Sequence, residues 1–211
     1  MSGKLKYIFW VLFVVVAIGL GAWTYNGWMT PKVKAQEFHA TVLDHPRPMP
    51  AFEMQGTNGH RFDNQSLQGH WTFMFFGFTH CGSVCPVTMA ELGKMYRLLS
   101  QDTTVPRPRV VMVTLDPQRD TLKRMQTYVE AFQPEFLGAR GSLKEAQALA
   151  SKMGIAYTRV MANTKERPND YSIEHSGSIL LINPHADLVA FFTPPHEATL
   201  MARDYQLLNA K

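Results

Sequence analysis

Apolar residues fill Trp71 to Phe78 almost without a break: Trp-Thr-Phe-Met-Phe-Phe-Gly-Phe. A run of that length, rich in aromatics, predicts a strand buried on both faces, as at the centre of a sheet covered by helices. Val110 to Leu115 is a second such run, ended by Asp116-Pro117. Between the two, Met89, Leu92, Met95, Tyr96 and Leu99 recur at helical spacing and predict a helix packed on the sheet. Leu122, Met125, Val129 and Phe132 share one helical face behind Asp120, which reads as its cap, and Ser142 with Glu145 forms a capping box for a helix to about Met153. Shorter stretches predict strands at 156–161, 176–182 and 188–193, with a turn at Asn183-Pro184, and a closing helix over 195–208. On the N-terminal side, residues 52–62 around Asn58-Gly59 read as a hairpin.

Strands alternating with helices, then a terminal hairpin and helix, is the order of an α/β thioredoxin-like sandwich with an N-terminal hairpin extension, here over 51–211. The polar stretch 163–174, with Pro168-Asn169-Asp170, interrupts it as a loop. Ahead of the domain, residues 7–23 carry no charge, and extension to Trp28 gives a run that spans ~30 Å of hydrocarbon as a helix. Tyr7, Trp10, Trp23, Tyr25 and Trp28 lie towards its two ends, as interfacial aromatics do. This predicts a transmembrane anchor at 7–28, not a cleaved signal, since Ala22-Trp23-Thr24 and Lys34-Ala35-Gln36 fit a small-x-small cleavage site poorly. Residues 1–6 become a cytoplasmic tail, and 29–50, with Pro31, Pro46, Pro48 and Pro50, a linker. The domain then faces the periplasm of a bacterium, as a single-pass membrane protein.

Charge changes the picture little. The formal +4 comes from Lys4, Lys6, Lys32 and Lys34, because residues 35–211 hold 17 basic and 17 acidic side chains. With no basic stripe, P-loop or dinucleotide fingerprint, nucleic-acid and nucleotide binding are set aside.

Chemistry gathers at the only two cysteines, Cys81 and Cys85, directly after the central strand. Pro86 suits the first turn of a helix, so Cys85 is expected at a helix N-terminus, where the dipole favours thiolate, the form that binds soft metals or attacks disulfides. A structural staple across four residues would contribute only roughly 2 kcal/mol. The residues alone leave metal binding and redox chemistry both open.

Three segments resemble the Sco proteins, membrane-anchored thioredoxin-fold copper proteins used in building cytochrome c oxidase: Phe75 to Cys81 through Val84-Cys85-Pro86, then Val113 to Thr121, then Glu174-His175-Ser176. The resemblance implies Cys81, Cys85 and His175 as copper ligands, with Asp116 a nearby carboxylate. It also implies, as partners, the copper-site subunit of cytochrome c oxidase and other copper-handling proteins. The family usually has Pro-Asp where this chain has Gly82-Ser83, and Asp where it has Glu174. Two thiolates and an imidazole suit Cu(I), content with three soft ligands, better than structural zinc, which takes a closed set of four. His80 is expected to point away from Cys81. His39, His45, His60, His70, His185 and His196 read as ordinary surface or core residues. The implied function is a copper chaperone without turnover; the alternative is a thiol-disulfide oxidoreductase that reduces the cysteines of a copper acceptor through a redox-active Cys81–Cys85 disulfide. The discriminating residue is His175, since a thioredoxin-type reductase presents a proline to its cysteines and none occurs between Pro168 and Pro184.

Overall fold

The computed structural model describes residues 3–29, 38–161 and 171–210, with side chains in the first segment only at 3, 8 and 10–21. The chain divides into two compact units, Met1–Glu37 and Phe38–Lys211. Among the described residues, the first contains one helix, α1 (Gly3–Met29). The expected anchor, 7–28, lies within it, although among the described residues no helix is long and apolar enough to cross a membrane.

The second unit carries, in order, β1 (Thr41–Pro48), β2 (Glu53–Gly56), β3 (Arg61–Asp63), α2 (Asn64–Leu67), β4 (Thr72–Gly77), α3 (Val84–Ser100), β5 (Arg109–Thr114), α4 (Leu122–Glu130) and β6 (Leu137–Arg140). There follow α5 (Leu143–Lys152), β7 (Tyr157–Met161), β8 (Tyr171–His175), β9 (Ile179–Ile182), β10 (Asp187–Phe192) and α6 (Ala198–Asn209). Among the described residues, eight strands form one sheet in the order β1-β10-β9-β4-β5-β6-β2-β3, while β7 and β8 pair only with each other. The aromatic run becomes β4, central as expected, and all six of its residues are buried. It lies parallel to β5 and antiparallel to β9, with Phe75 opposite both Met112 and Ile179. Parallel pairing sends the segments after β4 and β5 out at one edge of the sheet. The antiparallel β9 starts at that same edge, so the residues just before it arrive there too.

Helix α3 covers the sheet with Cys85, Met89, Leu92, Met95, Tyr96 and Leu99, the face its spacing called for. The hairpin β2–β3 and the Ser142/Glu145 capping box of α5 also form as read.

Four expectations change. Residues 41–48, assigned to the linker, form β1 and pair with β10; Pro46 and Pro48 are tolerated because β1 is an edge strand, where a missing N–H breaks no ladder. Residues 137–140 form β6, short and half small, which is a strand because β5 and β2 pair with it from both sides. Thr121, not Asp120, caps α4, its hydroxyl accepting from the Arg124 N–H at 3.2 Å. The end of the expected loop, 171–174, belongs to β8, while 162–170 lie outside the described residues.

Candidate metal centre

Beyond β4 the chain leaves the sheet at buried Phe78 and turns, the Cys81 N–H donating to the Phe78 carbonyl at 3.3 Å. Asp120, fully buried, holds this turn. Its carboxylate accepts from the Thr79 N–H at 3.1 Å, the Thr79 hydroxyl at 2.5 Å and the Thr114 hydroxyl at 2.6 Å. His80 turns its Nδ1 towards that carboxylate, 3.6 Å away, and is not among the donors grouped at the cysteines.

Cys81 is half-buried and precedes α3; Cys85 is in its first turn and fully buried. The Cys81 sulfur accepts from the Cys85 N–H at 3.4 Å. Ser83, the N-cap residue, makes no side-chain cap bond, so the sulfur takes the acceptor role at the helix start. Here the expectation for Cys85 reverses. Cys81 is the acidic thiol, held down to about 3, chiefly by the hydrogen bond from the Cys85 side chain and further by His175 and by the Cys85 and Ser83 backbone N–H groups, against a burial that works the other way. Cys85 is pushed far up, because its thiol proton is held by Cys81, because it is buried, and because the charges of Cys81 and Asp120 face it. The helix N-terminus stabilises the thiolate that its N–H groups reach, and here the Cys85 N–H reaches Cys81.

His175 ends β8, and its Nε2 stands 3.3 Å from the Cys85 sulfur. Its ring sits beside Phe75 and Phe78, with centroids at 5.7 and 6.2 Å. The Gly177 N–H donates to its Nδ1 at 3.2 Å, and Nε2 of His196 lies 2.9 Å from the Gly177 carbonyl. Gly177 has φ +66°, and a Cβ there would come within 3.1 Å of Pro194, so this turn needs glycine. The two sulfurs and a nitrogen of His175 all lie within 4.8 Å of one another, a grouping of donors that can hold a metal ion. Three donors, two of them soft sulfurs, match the demands of Cu(I) and fall one short of structural zinc.

Asp116 is fully buried but is not part of that grouping. Its carboxylate pairs with Arg119 and accepts the Tyr171 hydroxyl at 2.7 Å, so it reaches the site through β8. Gly82 and Ser83 are exposed, and a Cβ on Gly82 would meet nothing within 4 Å. Sequence reading missed Asp120 as a buried anchor, Tyr171, Gly177 and His196. The alternation of exposed and inward residues along β8 could have pointed to Tyr171; no local signal marks His196.

A family profile described as SCO1/SenC matches residues 41–208, from the start of β1 to the last turns of α6. The chain belongs to the SCO1/SenC family. This SCO1/SenC chain is 30% identical, over 73% of its length and 73% of the relative's, to a protein of Stutzerimonas stutzeri whose name proposes copper binding. It is 36% identical over 56% of its length to the human mitochondrial SCO2 homolog, and the match takes in 43% of that protein; the mitochondrial relatives are matched over about half their length. Among solved structures it resembles Arabidopsis thaliana ScoI with copper bound (TM-score 0.68, 26% identity, covering 75% of this chain and 98% of that one). It likewise resembles apo Sco1 from Thermus thermophilus (TM-score 0.70, 27% identity, covering 83% and 99%). These neighbours establish the thioredoxin-like α/β fold.

Proposed function

We propose that the protein is a copper chaperone that binds one Cu(I) through Cys81, Cys85 and His175 and delivers it to the copper-site subunit of cytochrome c oxidase during assembly. The observation that carries this reading is the convergence of those three donors within 4.8 Å, although His175 comes from a strand 90 residues beyond Cys85. Family membership and the copper-bound relative support it. Cys81, already a thiolate and the more exposed sulfur, is the first to meet an incoming ion. Cys85 then gives up its proton, which is favourable once positive charge replaces it beside Cys81. The Gly177 N–H lies on Nδ1 of His175, which leaves Nε2, facing the sulfurs, as the nitrogen offered to the metal.

The test is copper stoichiometry and competition against a Cu(I) chelator on reduced protein. One Cu(I) per chain is expected, abolished by Cys81→Ser or Cys85→Ser and weakened by His175→Ala. Unchanged binding in the cysteine variants overturns the proposal.

The pairing of an acidic, half-exposed Cys81 with a protonated, buried Cys85 also favours a second activity on the same sulfurs, reduction of a partner's disulfide. Cys81 attacks one sulfur and the other leaves as thiolate. With the Cys81 charge gone, Cys85 loses its proton and displaces the first sulfur, closing a Cys81–Cys85 disulfide. The two roles exclude each other at any instant, so oxidation gates copper loading. Tight Cu(I) binding by fully oxidised protein, with no thiol released, would place the metal elsewhere.

The uncharged run within α1 supports membrane anchoring, with 1–6 as a cytoplasmic tail and the domain in the bacterial periplasm. Protease added to spheroplasts should then digest the domain; full protection would contradict that orientation.

A further inference from the structure

Among the described residues, thiols and imidazole are carried by two bodies that share no backbone ladder: Cys81 and Cys85 are fixed by β4 and α3, whereas His175 belongs to the β7–β8 ribbon, which pairs there with no strand of the main sheet. Three residues join His175 to β9, so the chain holds that end of the ribbon, and side chains set where its other end lies. Along β8, Ser172 and Glu174 are exposed while Tyr171, Ile173 and His175 face inward, with Ile173 buried. At the far end of that face the Tyr171 ring lies between two guanidinium groups, Arg119 at 3.7 Å and Arg159 at 4.0 Å from its centroid. Its hydroxyl donates to Asp116, and its carbonyl accepts from Nη1 of Arg119 at 3.0 Å. Arg119 also pairs with Asp116, and Arg159 reaches Gln118 at 3.1 Å. The segment after β5 is thus tied to both strands of the ribbon.

We propose that the Arg119–Tyr171–Arg159 stack, braced by Asp116, is a latch that sets the distance of His175 from the two sulfurs. Two like charges on opposite faces of one ring repel, and they stay because the ring attracts each and the buried Asp116 carboxylate offsets one of them. Such a balance holds firmly when complete and opens when one member goes. A strand is stiff over the four residues from Tyr171 to His175, about 13 Å. Freeing Tyr171 therefore lets the far end of the ribbon lift and takes His175 off Cys85. Tyr171, Arg119 and Arg159 are positioning residues, and for copper their role rests on His175 being a ligand.

The experiment compares wild type, Tyr171→Phe, Tyr171→Leu and Arg159→Ala, the last at an exposed position that leaves the core untouched. In copper-free protein, the carbon-bound ring protons of His175 are read by NMR, since Phe75 and Phe78 beside it displace them from free-histidine positions. Tyr171→Leu and Arg159→Ala should move them towards free histidine, with Tyr171→Phe, which keeps the stack, close to wild type; β4 and α3 amide shifts should hold. In Cu(I)-loaded protein, X-ray absorption should lose the nitrogen scatterer in Tyr171→Leu while keeping two sulfurs, and copper should pass to a chelator about tenfold faster or more. Unmoved His175 resonances in both Tyr171→Leu and Arg159→Ala overturn the latch. If wild type itself shows no nitrogen ligand, the copper role of His175 fails, while the metal-free measurement still decides the latch.

Discussion

Reduced, metal-free protein should attack a disulfide through Cys81 at a rate nearly independent of pH. At pH 5 a thiol held at about 3 is almost entirely thiolate, whereas an ordinary cysteine near pKa 8.5 is only ~0.03% thiolate, a ~3,000-fold difference in attacking species. Basicity acts in the opposite direction. With a Brønsted coefficient of ~0.45, a drop of roughly 5.5 units costs ~300-fold in intrinsic reactivity. For equal access, Cys81 should thus be faster than a free thiol at low pH and slower at high pH, where the free thiol is itself ionised and more basic. Partial burial scales the Cys81 curve without tilting it. The assay mixes excess hydroxyethyl disulfide with protein, or with N-acetylcysteinamide as reference, and locates the first adduct by mass spectrometry. Between pH 5 and 8 the Cys81 rate should change less than ~2-fold while the reference rises several hundred-fold, on the order of its thiolate fraction. A Cys81 rate that climbs with the reference, or a first adduct on Cys85, would refute the hydrogen-bonded thiolate and the division of roles between the sulfurs.

Two further changes probe what holds the site. Asp120→Ala removes a buried carboxylate that accepts from Thr79 and Thr114; a loss of ~3 kcal/mol, or roughly 6–12 °C in Tm, is expected by thermal unfolding, and a drop under ~2 °C would contradict its anchoring role. Gly77→Ala would place a methyl 2.7 Å from the buried Phe75 ring and 3.2 Å from the Cys85 sulfur. It should cost ~1–3 kcal/mol in denaturant unfolding and speed copper loss to a chelator, and wild-type stability with wild-type copper retention would show that the strand end has room to give.

What the sequence determined by itself was whatever depends on neighbours close along the chain. The aromatic run had to be a covered strand, and β4 is buried at every position. Ser142 and Glu145, three residues apart, could cap only one helix, and they do. The three motif segments contain Cys81, Cys85 and His175, and the structure groups these donors within 4.8 Å of one another. Tertiary structure alone decided what depends on distant neighbours. Prolines in β1 looked like a linker because nothing local says that β10 runs alongside an edge. Asp120 looked like a cap, and its carboxylate instead accepts from Thr79, 41 residues away. Both cysteines lie near one helix start, and which carries the charge depends on the side of the first turn each sulfur occupies and on what else is buried there. That His175 meets them at all follows from β9 running antiparallel to β4, and its placement from a tyrosine gripped by side chains of two other segments. Periodicity records which face of an element is buried; it carries no record of the element that buries it, and charge and coordination are set by that partner.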